Sequence, residues 1–181
     1  MSPRGGLTTL ARMPLLGALL AALLLATACV ERVEQGVWGW GRVLVINAHR
    51  PRHVEQVGFQ HEGRHWVIRP SQPNHTLAAV LVTVRNDRST LVSLMVDGKA
   101  AYLEDGRGNR WAPLDFTAVR QEAPGPVQPE GVYLPFLWGK IDLPQGYQVQ
   151  GWMLFEVPKG TVITLFGWEQ ADPIRIRFKG R

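Results

Sequence analysis

Residues 77–85, Leu-Ala-Ala-Val-Leu-Val-Thr-Val-Arg, put the tightest constraint on what this chain folds into. Successive side chains of an extended strand point to opposite faces. Val80, Val82 and Val84 then share one face, and Ala79, Leu81 and Thr83 the other. A strand that is apolar on both faces needs neighbours above and below it. It therefore lies in the middle of a sheet or under a covering layer. The chain after residue 37 repeats this signature in shorter pieces. Apolar runs are broken by Gly, Pro, Asn and Asp with little helical period, the pattern of a sandwich or barrel.

The runs predict about nine strands. Trp38–Ile46 is the first. Val54–His61 and His65–Arg69 flank Glu62-Gly63-Arg64 as a hairpin with a three-residue loop. Leu77–Arg85 follows, then Leu91–Val96 and a turn at Asp97-Gly98. Ala101–Glu104 and Arg110–Leu114 surround a turn at 105–109. Pro124, Pro126 and Pro129, with Gly125 and Gly131, mark Thr117–Leu134 as a long connection. That connection crosses between sheets or forms a surface flap. After a tight turn at Pro144-Gln145-Gly146 come Tyr147–Val157, Thr161–Trp168 and Ile174–Phe178. The expected fold is a single all-β domain over residues 38–181.

Residues 1–28 read as an address. Arg4 and Arg12 precede the apolar run Met-Pro-Leu-Leu-Gly-Ala-Leu-Leu-Ala-Ala-Leu-Leu-Leu, residues 13–25, and small residues follow it. This is the pattern of an export signal. The run is too short for a helix rising 1.5 Å per residue to cross a hydrocarbon core of about 30 Å. The single cysteine of the chain, Cys29, stands directly after Leu25-Ala26-Thr27-Ala28. The segment resembles the lipobox of bacterial lipoproteins, which implies cleavage before Cys29, acylation of its thiol, and a membrane anchor. Residues 29–37 then form the lipidated cysteine and a short tether. Removing residues 1–28 takes away two arginines and no acid, so the formal charge falls from +5 to +3. The expected location is outside the cytoplasm, at the bacterial cell membrane.

The apolar strand ending in Val84-Arg85-Asn86-Asp87, the hairpin Leu103–Trp111 and the late run Gly151–Gly160 form a recognisable series. It resembles the telokin-like, immunoglobulin-like domain of bacterial lipoproteins and secreted proteins. The resemblance implies an immunoglobulin-like β-sandwich without an intersheet disulfide. It implies no enzymatic activity and no catalytic residues.

The composition narrows the chemistry. One cysteine rules out a disulfide framework, a cysteine zinc site and a CxxC redox centre. The serines after Cys29 are Ser71, Ser89 and Ser93, none in Gly-x-Ser-x-Gly. No phosphate-binding or dinucleotide fingerprint is present. Among the histidines, His61 and His65 are the weak metal candidates, set opposite each other if the hairpin loop has three residues. Arg50, Arg52, Arg64 and Arg69 flank them and oppose a cation. No cofactor is expected, and nucleic acid is a poor partner for an exported chain. Two surfaces remain as candidate contacts. Trp38 and Trp40 share a strand face and, with Trp138, offer an aromatic platform. Arg175, Arg177 and Lys179 form a basic row on the last strand, either a solvated edge or a contact for an anionic surface. The expectation is a membrane-anchored, non-enzymatic envelope module that binds an envelope protein or surface polymer. The alternative is a small-ligand or glycan binder that uses exposed tryptophan and the histidine–arginine hairpin.

Overall fold

The structure, a computed structural model, describes residues 36–179. Cys29 and the leader fall outside the described residues. Fourteen strands and one helical turn make up the described chain. The strands are β1 (Val37–Trp40), β2 (Leu44–Ala48), β3 (Arg52–Val54), β4 (Val57–His61), β5 (Arg64–Ile68), β6 (His75–Asn86) and β7 (Leu91–Val96). They continue with β8 (Ala101–Asp105), β9 (Arg110–Trp111), β10 (Gln121–Ala123), β11 (Gly139–Pro144), β12 (Gln148–Pro158), β13 (Ile163–Trp168) and β14 (Ile174–Arg177). The helical turn, α1, is Phe116–Val119.

All the strand pairs are antiparallel. The central sheet runs β1-β2-β6-β12, with β3 also on β6. β7 and β11 form one ribbon, and β14-β13-β8-β9 form a four-stranded sheet. The hairpin β4-β5, with β10 on its edge, makes a separate three-stranded layer. The fold is an all-β, immunoglobulin-like sandwich with an additional covering layer.

Burial explains this arrangement. The even residues Ala78, Val80, Val82 and Val84 of β6 enter the main core, together with Leu94, Leu103, Phe155, Phe166 and Trp168. The odd residues Leu77, Ala79 and Leu81 enter a second core with Val57, Phe59, Ile68, Tyr133, Trp152 and Leu154. The two-faced pattern read from the sequence is thus satisfied by a layer on each side. Each fully buried Leu, Val or Phe contributes about 1.5–3 kcal/mol relative to exposure. An aromatic cluster fastens the covering layer: Phe116 stacks on Phe136 at 4.4 Å between ring centres, and Phe59 meets Phe136 edge-on at 5.2 Å.

Four expectations are corrected. The segment Trp38–Ile46 is two strands, because the chain reverses between Trp40 and Leu44. The reversal carries no Asn-Gly or Pro-Gly signal. It is held from afar by Asp172, whose carboxylate accepts from Val43 N at 2.7 Å and Leu44 N at 3.2 Å. Val54–His61 is broken at Glu55-Gln56, where β3 leaves the central sheet and β4 begins the covering layer. The hairpin loop has two residues, Glu62 and Gly63, at φ of 52° and 74°. Positive φ at both central residues matches the right-handed twist of the flanking strands. Finally, Gly139–Pro144 is a strand that periodicity did not reveal, paired along its length with β7.

The long connection after residue 115 acts as a strap over the covering layer. Asp115 caps α1 by accepting from Thr117 N at 2.9 Å. β10 adds to the edge of β5. Gly58 N donates to Pro129 O at 3.2 Å, and Gly131 N donates to Gly58 O at 2.9 Å. A Cβ on Gly58 would lie 1.8 Å from Val127 O, so only glycine lets the strap lie this close. Residues 135–137 then run beside β12, with Leu137 N donating to Trp152 O at 2.9 Å.

Candidate binding face

Residues in register across an antiparallel pair project from the same face. Trp38 stands opposite Asn47, Asn47 opposite Thr83, and Thr83 opposite Gln150. The next row is Trp40, Val45, Arg85 and Gln148. These eight residues lie on the same side of the central sheet as Leu77, Ala79 and Leu81. The second core stops at Leu81 on β6 and Trp152 on β12, and Val45, though buried, belongs to neither core. On this side the central sheet therefore has one half under the second core and another, the open half, outside both cores, where Trp38, Trp40, Gln148 and Gln150 are exposed while Val45, Asn47 and Thr83 are buried.

The open half is polar in its middle and aromatic at its edge. Trp38 is 43% exposed and Trp40 70%. Between them Gly39 turns inward, close against Ile174 and Ile176, which fixes both indoles outward. Asn47 and Thr83 form a nearly buried polar floor. Gln150 is anchored on that floor by its Nε2, which donates to Thr83 Oγ1 at 2.8 Å. Arg85 donates from Nη2 to Asp87 Oδ1 at 2.9 Å, while its Nε has no partner among the described residues. The turn that carries β1 is positioned by Asp172, a residue that no local pattern singles out.

Trp138 is not part of this face. It is half-buried beyond the opposite edge of the central sheet, with its ring edge-on to Phe116 at 6.3 Å. Strands β2, β6 and β12 separate it from β1. Arg175, Arg177 and Lys179 are exposed. Ile174 and Ile176 turn into the main core, so Arg175 and Arg177 project away from it, on the other layer. The Arg50 side chain donates to the carbonyl of Lys179. Cys29 lies outside the described residues.

The two-residue hairpin loop removes the geometry expected for a metal at His61 and His65. His61 stands opposite Arg64, and His65 opposite Gln60, so the two imidazoles occupy opposite faces of the hairpin. His65 Nδ1 lies 2.6 Å from Glu130 Oε1, where it ties the strap to the hairpin. His61 Nε2 lies 3.6 Å from Glu62 Oε1. No group of three potential metal ligands occurs among the described residues.

Two hollows lie elsewhere on the described residues. One, of about 370 Å3, is lined by His53, Glu55, Thr76 and Lys159. Burial pushes the His53 imidazole below its ordinary value, favouring the neutral base. Its neighbours form a Lys159–Glu55 ion pair at 3.1 Å, and the Thr76 hydroxyl donates to Val54 O at 2.9 Å and not to the imidazole. Close by, Ser71 Oγ donates to Glu156 Oε1 at 3.0 Å, and His75 Nδ1 lies 3.6 Å from the same oxygen. The serine is thus on the acid and not on the imidazole, and Glu156 also accepts from Ser71 N and Gln72 N, as a loop clamp does. The other hollow, about 490 Å3, is an apolar groove between Phe59, Phe116, Leu134 and Phe136.

No protein-family model matches the chain, and no curated protein matches it. Among solved structures the chain is similar to MPT63, a secreted protein from Mycobacterium tuberculosis. The likeness has 14% identity, covers 75% of this chain and 89% of that one, and has a TM-score of 0.39. So distant a likeness carries no chemistry across.

Proposed function

We propose that this chain is an exported, lipid-anchored and non-enzymatic module of the cell envelope that docks another envelope component on the open half of its central sheet. The observation that carries the reading is the exposed pair Trp38 and Trp40 on the first strand, fixed outward by the inward turn of Gly39. Indole is the side chain with most to gain from burial, and an uncovered pair on one face marks a surface that something else covers. The sequence supports the location. Only eight residues separate Cys29 from Trp38, a reach of at most about 28 Å. Two or more acyl chains on that cysteine hold a protein stably at a bilayer, where one would not. The first strand and its indoles then work within the layer next to the membrane.

The test has two parts. Mass spectrometry of the amino-terminal peptide is expected to show Cys29 as an acylated first residue, and Cys29→Ser is expected to move the chain from the membrane to the soluble fraction. In that soluble background, residual retention by the cell envelope is expected to fall when Trp38 and Trp40 are both replaced by alanine. An intact amino terminus removes the anchor. Retention that ignores both indoles removes the docking face.

A further inference from the structure

We infer that the open half of the central sheet binds a glycan strand of the cell wall, laid across β1, β2, β6 and β12. The inference rests on the envelope placement proposed above and names the partner of the same face. A sugar ring offers two surfaces: an apolar C–H face and a rim of hydroxyl or acetamido groups. The sheet offers complements to both. Trp38 and Trp40 lie about 6.7 Å apart along their strand and make a continuous apolar strip. Across the strands, the exposed Gln148 and Gln150 supply amides that both donate and accept, beside a floor of the nearly buried Asn47 and Thr83. The distance from β1 to β12 is three strand spacings, about 14 Å, so an extended oligosaccharide reaches from the indoles to the glutamines.

Charge and polarity separate this partner from the others. Arg85 is the one ionisable group among the eight residues of the face, and its guanidinium is already paired with Asp87. The face is thus poorly suited to an anionic lipid, whose chemistry is met instead by Arg175 and Arg177 on the other layer. A protein interface keeps its apolar anchors near the centre and its polar groups at the rim. Here the order is reversed: the floor is Asn47 and Thr83, and the indoles stand at the edge strand.

The test uses the full chain in detergent, sedimented with purified peptidoglycan sacculi in high salt. Co-sedimentation is expected, and Trp38→Ala with Trp40→Ala is expected to weaken it at least about tenfold. Trp38→Phe with Trp40→Phe should retain part of the binding, and Arg175→Gln with Arg177→Gln should leave it unchanged. Equal thermal midpoints among the variants separate lost binding from lost fold. The inference is overturned if sacculi do not retain the chain, if the indole pair does not matter, or if high salt abolishes retention. It is also overturned if anionic vesicles, and not sacculi, retain the chain through the indoles. An acylated chain that sacculi ignore leaves the anchored module standing without its glycan. A chain with unmodified Cys29 that sacculi retain does the reverse.

Discussion

One face of β6 changes character half-way along its length. At Leu77, Ala79 and Leu81 it lies under the hairpin β4-β5 and the strap; at Thr83 and Arg85 it lies outside both apolar cores, with Thr83 buried and Arg85 half-buried. The neighbouring strand β12 changes at the same level, from Trp152 and Leu154 in the second core to Gln150 and Gln148 outside it. The β6–β12 ladder runs through both halves without interruption, whereas on the other flank β3 pairs with the covered half and β2 with the open one. What distinguishes them is where β3 hands over to β4, which sets how far the cover reaches. The polar side chains that stay exposed there, Gln148 and Gln150, keep their water at no cost, and the buried Thr83 hydroxyl accepts from Gln150. The two indoles beside them are the departure from that rule, and departures of this kind are informative about partners.

The largest expected effect sets the two halves against each other with one residue type. Trp152, 9% exposed in the covered half, packs edge-on against Tyr133 at 4.9 Å, whereas Trp40 is 70% exposed. Trp152→Ala is expected to cost about 3–5 kcal/mol, through lost transfer energy and the cavity left behind. Trp40→Ala is expected to stay within about 0.5 kcal/mol of the parent, as surface changes do. Urea unfolding measures both, and similar losses would erase the distinction between the halves.

A second variant attacks the cover alone. A side chain at Gly58 collides with the backbone of Val127, and backbone cannot rotate away as a side chain tip does. Gly58→Val is expected to cost about 1–3 kcal/mol or more and to detach residues 127–131. Hydrogen exchange should report this as lost protection at the amides of Gly58 and Gly131, which the strap holds at present. Exchange along β2 and its partners on β6 should stay slow. If the whole sheet loosens together, the cover is not a separable part.

A third variant attacks the open half alone. Asp172 is 7% exposed and accepts from two amides of the β1–β2 turn. Asp172→Ala leaves both donors without their acceptor, at a cost of about 1–3 kcal/mol. Protection should fall at Val43 and Leu44 while the covering layer is unaffected, and any binding through Trp38 and Trp40 should weaken with it. An unchanged exchange pattern would show that the turn holds without the carboxylate.

These three sites also show what was legible beforehand. The alternation of 77–85 disclosed a strand buried on both faces, because burial acts residue by residue and leaves a period of two. The same period placed Trp38 and Trp40 together. The Asn86-Asp87 turn was legible too, and the structure gives its reason. The fully buried Asn86 donates to Leu143 O at 2.9 Å and accepts from Ser89 N at 3.0 Å, which joins two turns. The β1–β2 reversal was not legible, since its acceptor lies 129 residues from Val43. The histidine hairpin was misjudged by one residue of loop length, and a slip of one moves every side chain to the other face. That single slip is what set His61 opposite His65. The boundary between covered and open halves was beyond reach of any local pattern, because it depends on where a separate hairpin folds back.

The smallest expected effect tests the cover through acidity. Asp115 is the cap of α1, the turn that carries Phe116 into the aromatic cluster. The Thr117 hydroxyl, the largest influence on its carboxyl, holds it below the ordinary carboxylate range, with the amides of Thr117 and Ala118 acting in the same direction. A carboxyl depressed by folding stabilises the fold above its unfolded value, about 3.9, and loses that contribution as pH falls through the folded value. Protection at the Thr117 and Ala118 amides should therefore decline on acidification below about pH 4, before the open half responds. Asp115→Ala should lack this step, with those amides less protected at neutral pH and little changed in acid. A step that persists in the alanine variant would assign the acid response to some other carboxylate and leave the cap without a role in holding the cover down.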